Sequence, residues 1–193
     1  MEERLVEKLL KSGEESTAKL IEKDTKTELL DTSFLTDGKI YRVTKFHLTR
    51  PLILYIGVDS KETAYYLNGN KSKFLKFISK SNLKLNKKET IIEYVKLYLK
   101  IVISPNKRFE VLESINDLKQ RPNLSEENKK KFADFQEKFR SLIKSAECQD
   151  KNCVLFAVKN QDLVKLELQI DDSGNVNIKE TTLEKNLLIP YAL

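Results

Sequence analysis

Three β-type runs near the C-terminus, joined by short turns, constrain the fold most. CVLFAVK (153–159) leads through NQD into LVKLELQI (163–170), and DDSGN separates that run from VNIKETT (176–182). Connections this short join antiparallel neighbours, because a parallel return needs a dozen or more residues. In the middle run Leu163, Lys165, Glu167 and Gln169 alternate with Val164, Leu166, Leu168 and Ile170. That is the period of a strand with one face on a core and the other partly wet.

The rest of the chain supplies further strands and several helices. KIYRVTKFHL (39–48) is rich in β-branched and aromatic residues. LILYIGV (52–58) is nearly continuous in apolar residues and ETAYYLN (62–68) follows a DSK turn, so the two predict a β-hairpin. RFEVLES (108–114) predicts a short strand. Helical spacing appears over 2–11, where Leu5, Val6, Leu9 and Leu10 share a face. Ser12 and Glu15 have the spacing of a capping box, which predicts a second helix over 13–23. Two more helices follow at 71–80 and about 88–103, the second ended by Ser104-Pro105. Ser125 is a natural N-cap, and Phe132, Phe135, Phe139, Leu142, Ile143 and Ala146 predict one long amphipathic helix through 146.

These elements predict an α+β fold: an antiparallel, curved sheet of about five to seven strands packed against two or three amphipathic helices. A length of 193 residues fits a single domain, with residues 1–24 as a helical appendage. No apolar run reaches spanning length and the N-terminus lacks a signal peptide's apolar core. The expectation is a cytoplasmic protein without a membrane partner.

Charge distribution narrows the function classes. The net charge is +6, from 35 basic and 29 acidic residues. Residues 71–108 concentrate eleven basic residues against only Glu89 and Glu93. Lys71, Lys73, Lys76, Lys80, Lys84, Lys87 and Lys88 therefore form the candidate surface for a polyanion or nucleic acid. Arginine, which reads base edges and phosphates with a planar fork, is scarce across the chain, at six residues. The nearby aromatics fall on apolar helical faces rather than among the lysines. A solvated face of two helices accounts for the same pattern.

Other chemistry is thinly represented. NGNKSK (68–73) falls short of a phosphate-binding loop, because Asn70 separates Gly69 from Lys71 and no earlier glycine completes the cradle. The adjacent acids Glu14-Glu15, Glu126-Glu127 and Asp171-Asp172 all lie where turns and helix starts favour acids. Cys148 and Cys153 have no companion pair and one distant histidine, which makes a poor zinc site; no metal or cofactor is expected. With a cytosolic setting, two reduced thiols are expected, Cys148 at a helix end and Cys153 at a strand start.

Three functions are carried forward in order. The first is a non-catalytic binding or regulatory protein acting through another protein, with its oligomeric state open. The second is polyanion or nucleic-acid binding through the lysine-rich 71–108 surface. The third is an enzyme with a pocket near the 52–68 hairpin, for which His47, Asp59, Tyr65 and Tyr66 are the candidate residues.

Overall fold

The computed structural model describes residues 2–21, 24–46, 51–105 and 108–190. The chain is α+β, with antiparallel pairing throughout, as the short turns imply. Its strands divide between two sheets, of four and five strands. Two compact units result: Met1–Asn106 with Asp171–Asn175, and Lys107–Ile170 with Val176–Leu193.

Unit 1 begins with helices α1 (Glu2–Lys11) and α2 (Glu15–Ala18). A meander follows, β1 (Thr25–Leu30), β2 (Lys39–Lys45), β3 (Leu52–Val58) and β4 (Ala64–Tyr66), paired in that order. Helices α3 (Lys71–Ser79) and α4 (Lys88–Tyr98) complete it, α4 running into a π-helical turn over Leu99–Ile103. Strand β3 explains why its sequence lacks alternation: residues Leu54 to Val58 are all buried. Leu54, Ile56 and Val58 pack with Leu5 and Leu9 of α1, Ala18 and Val43. On the other face Gly57 lies under the Phe77 ring of α3, and Tyr65 lies 6.0 Å from that ring. Phe34, Phe74, Tyr94 and Tyr98 form an aromatic cluster, with Phe34–Tyr94 and Phe74–Tyr98 edge-to-face at 5.3 and 5.4 Å. The tyrosines of α4 are therefore core residues. The turn Asp171–Asn175 also belongs to this unit, and Tyr94 Oη donates to the Gly174 carbonyl.

Unit 2 contains β5 (Phe109–Leu112), α5 (Glu126–Phe139), β6 (Glu147–Gln149), β7 (Asn152–Lys159), β8 (Asp162–Ile170) and β9 (Val176–Glu184). Strands β5, β7, β8 and β9 are neighbours in that order, with β6 on β7. Its core joins Phe132 and Phe139 of α5 to Phe156, Val158 and Leu163, with Leu187 and Ile189 of the apolar tail.

Several local expectations change. Ser12 does not cap α2; its Oγ accepts from the Ala64 amide at 2.9 Å, and Glu14 occupies the cap position without a side-chain bond to the helix amides. The helix predicted through 146 ends at Phe139, although Ile143 and Ala146 stay buried beyond it. Ser125 does cap it, accepting from the Asn128 amide at 3.3 Å. Strand β1 was not anticipated, because a polar edge strand such as TKTELL carries no clean hydrophobic period. Strand β6 was not anticipated either, and it overturns the expectation of free thiols. The β6–β7 hairpin sets Cys148 directly opposite Cys153, with Cα atoms 4.1 Å apart, and a disulfide joins them. That pairing removes the cysteine argument for a reducing compartment.

Two outcomes follow for stability. Gly57→Ala would place a Cβ 2.8 Å from the Phe77 ring, so the unfolding free energy should fall by about 1–3 kcal/mol, read as a lower urea midpoint. Phe77→Leu in the same chain should recover part of that loss. Reducing the Cys148–Cys153 bond should cost about 2 kcal/mol, from the short loop it constrains, measurable by the same titration with and without reductant.

Candidate functional site

Helix α1 is built for two jobs. Glu2 and Glu3 lie in its first turn and Lys8 and Lys11 in its last, matching the helix dipole. Leu5 and Leu9 are buried against the sheet. Arg4, Lys8 and Lys11, spaced i, i+4 and i+7, line one flank beside that apolar stripe. Across from this flank Lys39 and Tyr41 project from the same face of β2, two residues apart. Together with Leu5, Glu7 and Glu62 they line an open groove of about 820 Å3.

The groove is basic. Four cations line it against two carboxylates, Glu7 and Glu62. Lys8 bonds Glu62, and that hydrogen bond is the main reason the Glu62 carboxyl lies below its ordinary range. Among the described residues Arg4, Lys11 and Lys39 form no ion pair. By contrast, a smaller cleft of about 410 Å3 in unit 2 has its ionic groups matched: Lys179 lies 3.5 Å from Glu167, which also binds Lys165 at 3.0 Å.

The hairpin residues expected near a pocket behave differently. Asp59 is buried. Its Oδ1 accepts the Lys61 and Thr63 amides, each at 2.9 Å, and its Oδ2 accepts Tyr65 Oη at 3.0 Å. This clasp closes the β3–β4 turn and, after burial, helps to hold the Tyr65 phenol above its ordinary pKa. Tyr66 points to the opposite face from Tyr65 and packs beside the α1 core. His47 lies outside the described residues. The structure thus joins Asp59 to Tyr65, while among the described residues the groove meets the hairpin through Glu62.

The lysine run is solvated. Lys71, Lys76, Lys80, Lys84, Lys87 and Lys88 are exposed, and their ammonium groups make no ion pair among the described residues. Lys73 is the exception, bonded to Glu14. At the start of α3 the Asn70 side chain accepts the Lys73 amide at 2.9 Å, so the helix end is capped from within the chain.

A second charged row crosses unit 1 on the face opposite α1. Glu28, Arg42 and Tyr55 are aligned across β1, β2 and β3. Glu28 accepts from Lys26 at 2.7 Å and from Arg42 Nε at 2.9 Å, which lowers its carboxyl pKa. Burial pushes the Tyr55 phenol up to about 12, against the pull of Arg42.

Among the described residues no group of three or more His, Cys, Asp or Glu side chains could hold a metal ion, and no helix is long and apolar enough to cross a membrane. No known protein family, curated protein or solved structure matches the chain. The groove residues escaped sequence reading for a simple reason. The i, i+4, i+7 spacing of Arg4, Lys8 and Lys11 is legible, but that this flank opposes Lys39 and Tyr41 follows only from the packing of α1 on β2.

The clasp has a measurable worth. Asp59→Ala would leave the Tyr65 hydroxyl and two backbone amides without their acceptor, and stability should fall by about 2–3 kcal/mol in chemical denaturation. Asp59→Asn, which keeps a carbonyl oxygen for the amides, should cost less.

Proposed function

We propose that the protein is a non-catalytic binding protein that takes an acidic, extended segment of another protein into the groove between α1 and β2. The observation that carries this reading is the charge mismatch of the groove: Arg4, Lys11 and Lys39 line it without an ion pair among the described residues, while Lys8 is already matched by Glu62. Unmatched cations along a trough attract and orient a carboxylate-bearing chain, raising its encounter rate and fixing its register. Tyr41 adds an amphipathic wall that suits apolar side chains interspersed with the acids. An open trough favours an extended polypeptide over a compact small molecule, which is normally enclosed on most of its surface.

A second reading has one observation in its favour. Six exposed lysines from Lys71 to Lys88 make no ion pair among the described residues, which suits non-specific attraction to a nucleic-acid backbone. The two readings separate in one experiment. A fluorescein-labelled Glu-rich peptide and a labelled single-stranded oligonucleotide are titrated with the protein at low and physiological salt, followed by anisotropy. Arg4→Glu, Lys11→Glu and Lys39→Glu together should weaken peptide binding by roughly tenfold or more. Lys76→Glu with Lys80→Glu should leave it unchanged. Peptide binding that is insensitive to the groove changes would sink the first reading. Oligonucleotide binding that survives physiological salt and disappears with Lys76→Glu and Lys80→Glu would establish the second.

A further inference from the structure

The sheet of unit 2 carries a row of side-chain amides. Gln149 of β6 lies directly across from Asn152 of β7, Asn152 from Gln169 of β8, and Gln169 from Asn177 of β9. Residues directly opposite in an antiparallel ladder share a face, so the four carboxamides form one line across four strands. At about 4.8 Å between strands the line is about 14 Å long. All four residues are exposed, and among the described residues none of their side-chain amides makes a hydrogen bond. Further along the same face of β7, Phe156 and Val158 are packed against α5. The amide row lies beyond that cover. Three of its members, Asn152, Gln169 and Asn177, line the cleft of about 410 Å3.

From this alignment we infer that the cleft binds a neutral, linear oligosaccharide along the amide row. Each carboxamide offers one carbonyl acceptor and two N–H donors. A sugar hydroxyl both donates and accepts, so every amide can exchange water for hydroxyls in either sense. Each exchange contributes little by itself, and binding depends on several made together. The strand interval suits a chain of sugar rings, whose hydroxyls recur at a similar interval. A peptide strand is out of step, because its groups on one side recur at about 6.8 Å.

The neighbouring row excludes a charged ligand. Glu147, Val154, Glu167 and Lys179 lie across the same four strands. Glu167 is matched by Lys165 at 3.0 Å and by Lys179 at 3.5 Å, while Glu147 repels an anion. Val154, 37% exposed, supplies an apolar contact for the C–H edge of a ring. The site sits on strands, which hold side chains more precisely than loops do. The Cys148–Cys153 disulfide, one pair along from Gln149 and Asn152, fixes β6 in the register that completes the row. The row belongs to unit 2, and the inference stands whether or not the groove of unit 1 binds an acidic segment.

The test is a titration of isotope-labelled protein with neutral linear oligomers of glucose, mannose and N-acetylglucosamine, followed by nuclear magnetic resonance of the side-chain amides. At least one oligomer should shift the Asn152, Gln169 and Asn177 signals saturably below about 10 mM. Its monosaccharide, which reaches fewer of the amides, should bind roughly tenfold or more weakly. Gln169→Ala, with an amide on either side, should weaken the oligomer by roughly tenfold, and Gln169→Asn should recover part of that loss. Circular dichroism checks that each variant is folded. The inference would be overturned by the absence of a saturable shift with every oligomer, or by equal binding to Gln169→Ala. It would also be overturned if a Gly-Ser peptide or an oligouronate moved the same signals at lower concentration.

Discussion

Burial of β3 on both faces is the constraint on which unit 1 depends. From Leu54 to Val58 every residue is buried, so each face needs its own cover. The apolar stripe of α1 covers Leu54, Ile56 and Val58. The other face is closed by α3, and it closes tightly because Gly57 has no side chain to hold the Phe77 ring away. Burying a large apolar side chain contributes roughly 1.5–3 kcal/mol. Two layers of such side chains on one strand make that strand the place where both helical layers are anchored. The N-terminal helices are thus part of the core of this unit rather than an addition to it.

The docking of α1 also creates the charged groove. A helix that buries Leu5 and Leu9 must turn its flanks toward the sheet's margins, and here one flank carries Arg4, Lys8 and Lys11. They meet Lys39 and Tyr41, which project from β2 because alternate residues of a strand share a face. Stability and recognition are served by adjacent stripes of one ten-residue helix. The same economy appears at β1, where Glu28 ties Arg42 within the sheet while lying on the edge itself.

Ion pairing separates the lysines more sharply than counting them does. Lys73 is matched by Glu14, Lys8 by Glu62 and Lys26 by Glu28. Exposed pairs of this kind add little to stability, usually below about 1 kcal/mol. Their greater effect is to cancel charge locally, so that net attraction for a polyanion or an acidic chain comes from the cations left over. Those leftovers lie along the groove and along the 71–88 run, and each site draws on different elements of unit 1.

Hydrophobic period placed several elements correctly, although the apolar stripe of α5 ran on to Ala146 while the helix ends at Phe139. The buried run LILYIGV became β3, the hairpin and the C-terminal meander formed as their turns demanded, and Ser125 capped α5. Polar strands such as β1 and the short β6 were illegible because they are held by their neighbours' hydrogen bonds and not by an apolar period of their own. The disulfide followed from β6: only the hairpin register brings Cys148 opposite Cys153. In the same way Ser12 had the spacing of a cap, yet the Ala64 amide, distant in sequence, claimed its hydroxyl. Local sequence determined which segments could be helix, strand or turn, because those choices depend on neighbours a few residues away. Tertiary structure decided which side chains meet, from the groove cations to the Asp59–Tyr65 clasp, because such meetings depend on which faces must be hidden from water together.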